Sequence, residues 1–379
     1  MRFSQVKGQD ALKAKVVDMV DNHHFPHAVL ISGKDGYGSV AMALAIAQYI
    51  ACENKHDGDS CGECPSCNKY QKLVHPDFHL YFPTTTTKRV EKDNSASLFT
   101  EEFREYVLGH EGYIDFNSWI EYMGGENKQG IINVRDADSI VMNATLKTFV
   151  SKYKIIFVWG ADRLNAEASN KLLKILEEPY PNTIFIMTAE HKEKIMPTIL
   201  SRVQTIFLSP LSDETIATEL KERNPELTSE QVNYQAMLCE GDLNRISEEF
   251  FKKENEYREM FVQINRLAMT YKTKASEISK FVDDKSKMTR ANLKEFFSYC
   301  ISTIEKCWLY NCGVPMIQHP LEMSEDIFKK NYPKFITQNN LDGIYTILEK
   351  SYHNVDRNAN AKINLFNLII KLGMLLERR

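Results

Sequence analysis

Two groups of residues in this sequence have types and spacings that could do chemistry. In the first, Cys52, Cys61, Cys64 and Cys67 follow the pattern C-x8-C-x2-C-x2-C, with Gly62 and Pro65 between the later cysteines. Two successive C-x-x-C steps let thiolates converge on one centre, and Cys52 supplies a fourth sulfur. Four thiolates suit a tetrahedral Zn²⁺ site, structural because no coordination position stays open for water. Iron–sulfur or redox chemistry, and unliganded thiols, are alternative uses of the same residues. A zinc finger for DNA fits poorly, since Glu53, Asp57, Asp59 and Glu63 would repel phosphate.

The second group is a glycine-rich loop. Residues 27–32 read as an apolar strand that runs into Gly33-Lys34-Asp35-Gly36-Tyr37-Gly38-Ser39-Val40, then into a small-residue helix over 41–50. The phosphate-binding pattern G-x-x-x-x-G-K-[ST] needs its Lys on the β- and γ-phosphates and its hydroxyl on Mg²⁺. Gly33 and Gly38 keep the spacing, but Ser39 stands in the Lys position and Val40 in the hydroxyl position. Lys34 lies at the start of the loop and is no substitute. Gly33, Gly36, Gly38 and Ser39 could still cradle an anion through backbone N–H groups at the helix N-terminus. A bare strand-to-helix turn is the alternative.

A hydrolytic site also needs a strand ending in acidic residues, which hold Mg²⁺ and polarise the attacking water. The strand is there at 155–158, but Trp159 and Gly160 follow it, and Asp162 falls on the next turn. With both catalytic elements lost, independent ATP hydrolysis is not expected. Arg202, in Thr198-Ile199-Leu200-Ser201-Arg202-Val203, lies between a helix and a strand, where a side chain can project. A surface ion pair is the plain reading of a lone arginine. An arginine finger completing a neighbour's ATP site in trans is the other.

The elements that must position these residues alternate along the first half of the chain. A helix over 9–24 precedes the first strand, and an alternating strand is expected over 75–83 between prolines. Residues 84–128 open as a polar loop, with short helices near 100–108 and 119–123. Regular structure resumes at 131–135, followed by a helix over 136–149. Apolar strands at 155–158, 183–188 and 204–208 are of the kind buried in a parallel sheet, and Asn165 can cap the helix between the first two. Beyond Pro210 only helical periodicities appear, such as Ile363, Phe366, Ile370 and Met374. The expected organisation is an α/β core over 1–210, a small helical module to about 248 and an all-helical domain over 249–379.

Composition excludes several classes. Apolar residues at 43% and charged residues at 26% are ordinary for a globular protein. A net charge of −4 does not suit a DNA-coating protein. No apolar run approaches the ~20 residues of a membrane helix, and residues 1–5 lack the apolar stretch of a signal peptide. A cytoplasmic location is expected, with Cys239, Cys300, Cys307 and Cys312 as small buried residues.

The combination resembles the delta-prime subunits of bacterial sliding-clamp loaders, AAA+ proteins of the DNA polymerase III holoenzyme. The stretches that carry the resemblance are Pro26-His27-Ala28, the four-cysteine module, His75-Pro76-Asp77, Ala161-Asp162-Arg163-Leu164-Asn165, the run from Asn170 to Pro179 with Glu177-Glu178-Pro179 at its end, and Thr198-Ile199-Leu200-Ser201-Arg202. It covers about residues 1–83 and 129–210. The Glu-Glu-Pro helix and the Ser-Arg step are shared with the ATP-hydrolysing gamma/tau subunits; the missing Lys and acidic pair point to delta-prime. Two features depart from the family: Val203 stands where it has Cys, and the 84–128 segment is longer than usual. The resemblance implies an AAA+-like parallel-sheet domain with a zinc module, a small helical lid and an all-α collar that assembles a hetero-pentamer. It further implies gamma/tau-type ATPase and delta partners, with the sliding clamp and primed DNA reached through the complex, and no membrane partner. ATP would be bound only on neighbouring subunits, with Arg202 offered to it in trans. On this reading the chain is a subunit of a DNA-directed DNA polymerase, a nucleotidyltransferase, without ATPase activity of its own. An active gamma/tau-type ATPase and a zinc-dependent nucleic-acid binder are the competing readings.

Overall fold

The computed structural model describes residues 1–125, 128–314 and 331–377. Residues 126–127 of the long segment, and 315–330 and 378–379 of the expected helical domain, lie outside them. The chain divides into two compact units, Met1–Ile246 and Ser247–Arg379.

In the first unit, α1 (Asp10–Asp21) leads to β1 (Ala28–Ser32), α2 (Ser39–Ala51), α3 (Pro65–Gln71) and β2 (Phe78–Tyr81). The segment that follows carries α4 (Thr100–Gly109) and α5 (Phe116–Tyr122), and then come α6 (Val134–Thr145), β3 (Lys154–Val158) and α7 (Ala166–Glu177). β4 (Thr183–Ala189), α8 (Pro197–Leu200) and β5 (Gln204–Phe207) complete the sheet, and α9 (Asp213–Arg223) and α10 (Ser229–Cys239) end the unit. The strands lie in the order β2-β3-β4-β1-β5, all parallel, with Leu30 paired to Met187 on one side of β1 and to Thr205 on the other. Parallel neighbours require helical crossovers, which the alternation supplies. Every residue of β1, β3 and β4 is buried, as expected of strands covered on both faces. The C-terminal ends of β1 and β3 therefore open at one edge of the sheet, where the loops after Ser32 and Val158 meet.

The strand expected over 75–83 is four residues long, because Asp77 is used otherwise. Its buried carboxylate accepts from the backbone N–H groups of Phe149, Val150 and Ser151 at 2.5, 2.8 and 2.8 Å. Residues 131–135 form no strand: Ile131 and Ile132 make isolated bridges only. Asn133 accepts from Arg135 and Asp136 N–H as the cap of α6, so the helix starts at Val134 rather than 136. A side chain that satisfies the first free N–H groups starts a helix where apolar spacing alone does not. Among the scattered cysteines, Cys239, Cys300 and Cys307 are buried as expected, but Cys312 is exposed. It is the cap that follows α13 (Arg290–Asn311), beyond the last buried turn.

The second unit is helical among its described residues. α11 (Glu248–Met269), α12 (Ala275–Lys285) and α13 are joined by α14 (Leu341–Asp356) and α15 (Ala361–Leu376). They enclose a core of Phe261, Phe296, Phe297, Ile344, Leu368 and Ile369. Buried polar groups in this unit include a hydrogen-bonded pair: Tyr332 donates to Asn265 Oδ1 at 2.6 Å, and Asn265 donates to the Phe261 carbonyl at 2.8 Å. Each partner satisfies the other, which avoids the cost of an orphaned polar group.

Candidate functional site: a closed phosphate loop and a four-cysteine cluster

The glycine loop connects β1 to α2 as the spacing predicts, with a 3₁₀ turn over Asp35–Tyr37 and Gly38 at φ +93° ahead of the helix. Its N–H groups are turned inward. Gly33 donates to the Ala189 carbonyl, Tyr37 to Lys34 and Gly38 to Asp35, at 2.9 to 3.1 Å. The Asp35 amide donates to Glu190 Oε1 at 3.0 Å. Ser39, fully buried, donates its hydroxyl to Asp35 Oδ1 at 2.6 Å. Trp159, in the place of an acidic Mg²⁺ ligand, donates its indole N–H to the two oxygens of Asp35 at 3.2 and 3.0 Å. The loop thus holds a carboxylate of its own where a phosphate would need donors.

Burial favours the neutral form of this acid. Burial and the neighbouring Glu190 carboxylate push Asp35 well above the usual carboxylate range, against the lowering bonds from Ser39 and Trp159. Burial likewise pushes Asp242 up, and its carboxylate lies on Gly36 so closely that a Cβ there would overlap it. The space left among Asp35, Phe116, Trp159, Asp162, Arg163 and Glu190 is about 10 Å³, room for about one water. Gly33, Gly36, Gly38 and Ser39 are thus brought together at the β1–α2 turn, as the spacing predicts. Sequence reasoning missed Asp35, Glu190 and Asp242 as occupants of the site; only Trp159 carried a signal, as the residue after the strand.

Arg202 sits on the turn between α8 and β5. Its Nε and one terminal nitrogen bond Glu177 Oε2 at 3.1 and 2.6 Å, and the other terminal nitrogen donates to the Thr198 carbonyl at 2.8 Å. Glu177 belongs to the last turn of α7, whose cap is Asn165 as expected.

The four cysteines converge. Their sulfurs all lie within 4.8 Å of one another, with Cys52–Cys61 at 3.6 Å and Cys61–Cys67 at 3.8 Å. A tetrahedron of about 2.3 Å zinc–sulfur bonds has edges of about 3.8 Å. The backbone helps: Cys61, Cys64 and Cys67 N–H groups point at the sulfurs of Cys52, Cys61 and Cys64 at 3.3 to 3.4 Å. N–H groups of Glu63 and Cys64 pull the Cys61 thiol down to about 6, whereas burial pushes Cys52 and Cys67 up. Thiols crowded this way gain most from a cation that carries their charge. Among the described residues this is the cluster able to hold a metal ion. The loop between Cys52 and Cys61 also ties down the chain start, since Asp59 accepts from Phe3 and Ser4 N–H at 2.8 and 2.9 Å.

A family model described as DNA polymerase III, delta subunit, matches residues 8–212. A DNA polymerase III subunit delta' of Haemophilus influenzae is 30% identical over 198 residues, 52% of this chain and 47% of that one. The subunit delta' of Bacillus subtilis is 26% identical over 205 residues, 54% and 49% of the two chains. A subunit gamma/tau of Mycoplasma pneumoniae is 24% identical over 246 residues, 64% of this chain and 29% of that one. The chain spans about half the length of the delta' relatives it matches. The family match takes in the whole sheet, the closed loop, the cysteines and Arg202, and on it the chain belongs to the DNA polymerase III family of delta-prime clamp-loader subunits.

Proposed function

We propose that this chain is a non-hydrolysing subunit of a cytoplasmic DNA polymerase III clamp loader, acting through the ATP of a neighbouring gamma/tau-type subunit. The observation that carries this is the loop filled by its own Asp35: the residues that bind and polarise nucleotide phosphates are absent, and their space is occupied. Residues 211–248 serve as the lid and 249–379 as the collar of a hetero-pentamer that also contains delta. Assembled, it loads the sliding clamp onto primed DNA. The cysteine cluster holds a structural Zn²⁺ that fixes the start of the chain against α2 and α3.

Arg202 is the group offered in trans. Its pairing with Glu177, which is 61% exposed, is worth no more than about 1 kcal/mol at such a surface. A γ-phosphate accumulating charge in a water-poor interface competes readily with that. Arg202→Ala is expected to leave the fold and melting of the chain unchanged. In an assembly reconstituted with gamma/tau-type and delta subunits, hydrolysis at the site it serves falls by about 10³ or more, the scale of an arginine finger. Undiminished turnover in that assembly would remove Arg202 from the mechanism. Phosphate release by the purified chain alone would instead favour the active-ATPase reading.

A further inference from the structure

We propose that the long segment between β2 and α6 is a built-in strut that takes the place of a nucleotide, joining the phosphate loop to the helical segment 212–246 and holding both closed without a ligand. This concerns the chain alone and does not depend on the clamp-loading reading.

The segment is anchored at the sheet edge by aromatic packing. Phe103 of α4 stacks on Phe82 at 3.8 Å between ring centroids, and Trp119 of α5 meets both rings edge-on at 5.4 and 5.1 Å. Trp119 also donates its N–H to the Pro83 carbonyl at 2.9 Å. Between the two helices the chain makes a tight turn, with Glu111 at φ +50° and Gly112 at φ +74°. Gly112 N–H bonds Val107 and Tyr113 N–H bonds His110, at 2.9 and 2.8 Å. Residues 112–115 are thereby presented as a fixed finger.

The finger reaches three places. Gly112 lies on the first turn of α2, where a Cβ would come within 2.9 Å of Ala41 Cα and 3.0 Å of Ala41 N. A helix N-terminus is where a phosphate would bind, and here a peptide covers it. Tyr113 lays its ring on Gly38, 3.1 Å from the position of a Cβ, and its hydroxyl accepts from Lys7 N–H at 2.7 Å. Lys7 in turn pairs with Glu219 of α9. The Ile114 carbonyl accepts from Asn244 Nδ2 at 2.8 Å, two residues beyond the Asp242 carboxylate that seats on Gly36. A nucleotide could link the same elements only by displacing the finger. The strut accounts for a segment that neither the sheet nor the cysteine cluster requires.

The test is amide hydrogen exchange on the full chain, with and without millimolar Mg–ADP. In the unmodified protein, residues 36–42 and 240–246 should exchange slowly and identically in both conditions; protection by ADP at residues 36–42 would overturn the proposal. Gly112→Ala puts a Cβ at a left-handed position against α2, and should speed exchange about tenfold in both segments. Acceleration confined to residues 109–116 would show that the finger bears on nothing. If Gly112→Ala no longer melts cooperatively, Tyr113→Phe decides: it keeps the ring on Gly38, loses the bond from Lys7 and should speed both segments about fivefold. No change in either would refute the strut.

Discussion

Asp35 occupies a position that the phosphate-loop pattern leaves open to any residue, yet it organises the site. It accepts from Ser39 and Trp159 while its own amide is held by Glu190. The loss of the catalytic Lys and hydroxyl was legible in the sequence, because the pattern fixes those positions. The occupant was not, because its partners come from 124 and 155 residues away and only the sheet order brings them together. The site has a pH signature. Burial and Glu190 raise the folded-state pKa of Asp35, so the folded form holds this proton more tightly than the unfolded chain, whose Asp titrates near 3.9. The stabilisation is therefore fully present below about pH 4 and is lost as pH rises through the raised value. Asp35→Asn keeps an acceptor for Ser39 and Trp159 and cannot ionise. Its melting temperature at neutral pH should equal or exceed that of the unmodified chain, with a flatter acid-to-neutral profile. A lower value throughout would mean that the charge itself is needed.

At the scale of elements, spacing served the cysteines well and the edges of helices poorly. C-x-x-C-x-x-C with Cys52 nine residues upstream of Cys61 puts four sulfurs within reach whatever the details of the loop, and they do converge. The start of α6 depended instead on one cap, Asn133, reinforced by Asp136 accepting from its backbone, a signal that apolar periodicity cannot carry. The strand expected over 75–83 is shortened to Phe78–Tyr81 for a similar reason: Asp77 holds the turn at 149–151. The cysteine module has little apolar core of its own beyond Tyr70 and Leu73, so its order should rest on the metal. Metal analysis of the unmodified protein is expected to find zinc, and Cys64→Ser to lose it and to lower the melting temperature. Limited proteolysis should then begin near residues 53–63 and at the chain start, which Asp59 tethers. A variant that melts and resists protease like the parent would show that the thiols fold without an ion.

At the scale of the whole molecule, the two units differ in how much the sequence disclosed. The first was readable because buried parallel strands are nearly pure apolar runs. In the second, helical periodicity located α15 but could not orient it, because the helix is apolar on two faces. Leu365, Leu368, Ile369, Leu372 and Leu376 are in the core. Ile363, Phe366 and Met374, spaced along the other side, are exposed, Ile363 by 70% and Met374 by 48%, and no described element covers them. Among the described residues no helix is long and apolar enough to cross a membrane. Exposed apolar stripes of this length mark protein interfaces, and the collar reading supplies an occupant: the equivalent helices of gamma/tau-type subunits. A double substitution, Ile363→Asp with Met374→Asp, removes apolar surface that the isolated chain leaves in water, so its melting should shift by less than about 0.5 kcal/mol equivalent, as for surface changes generally. Co-elution with gamma/tau-type subunits on size-exclusion chromatography should be lost, because two buried carboxylates would have no cation to meet. Retained co-elution would place the assembly surface elsewhere, and a collapsed melt would show that the stripe supports the unit itself.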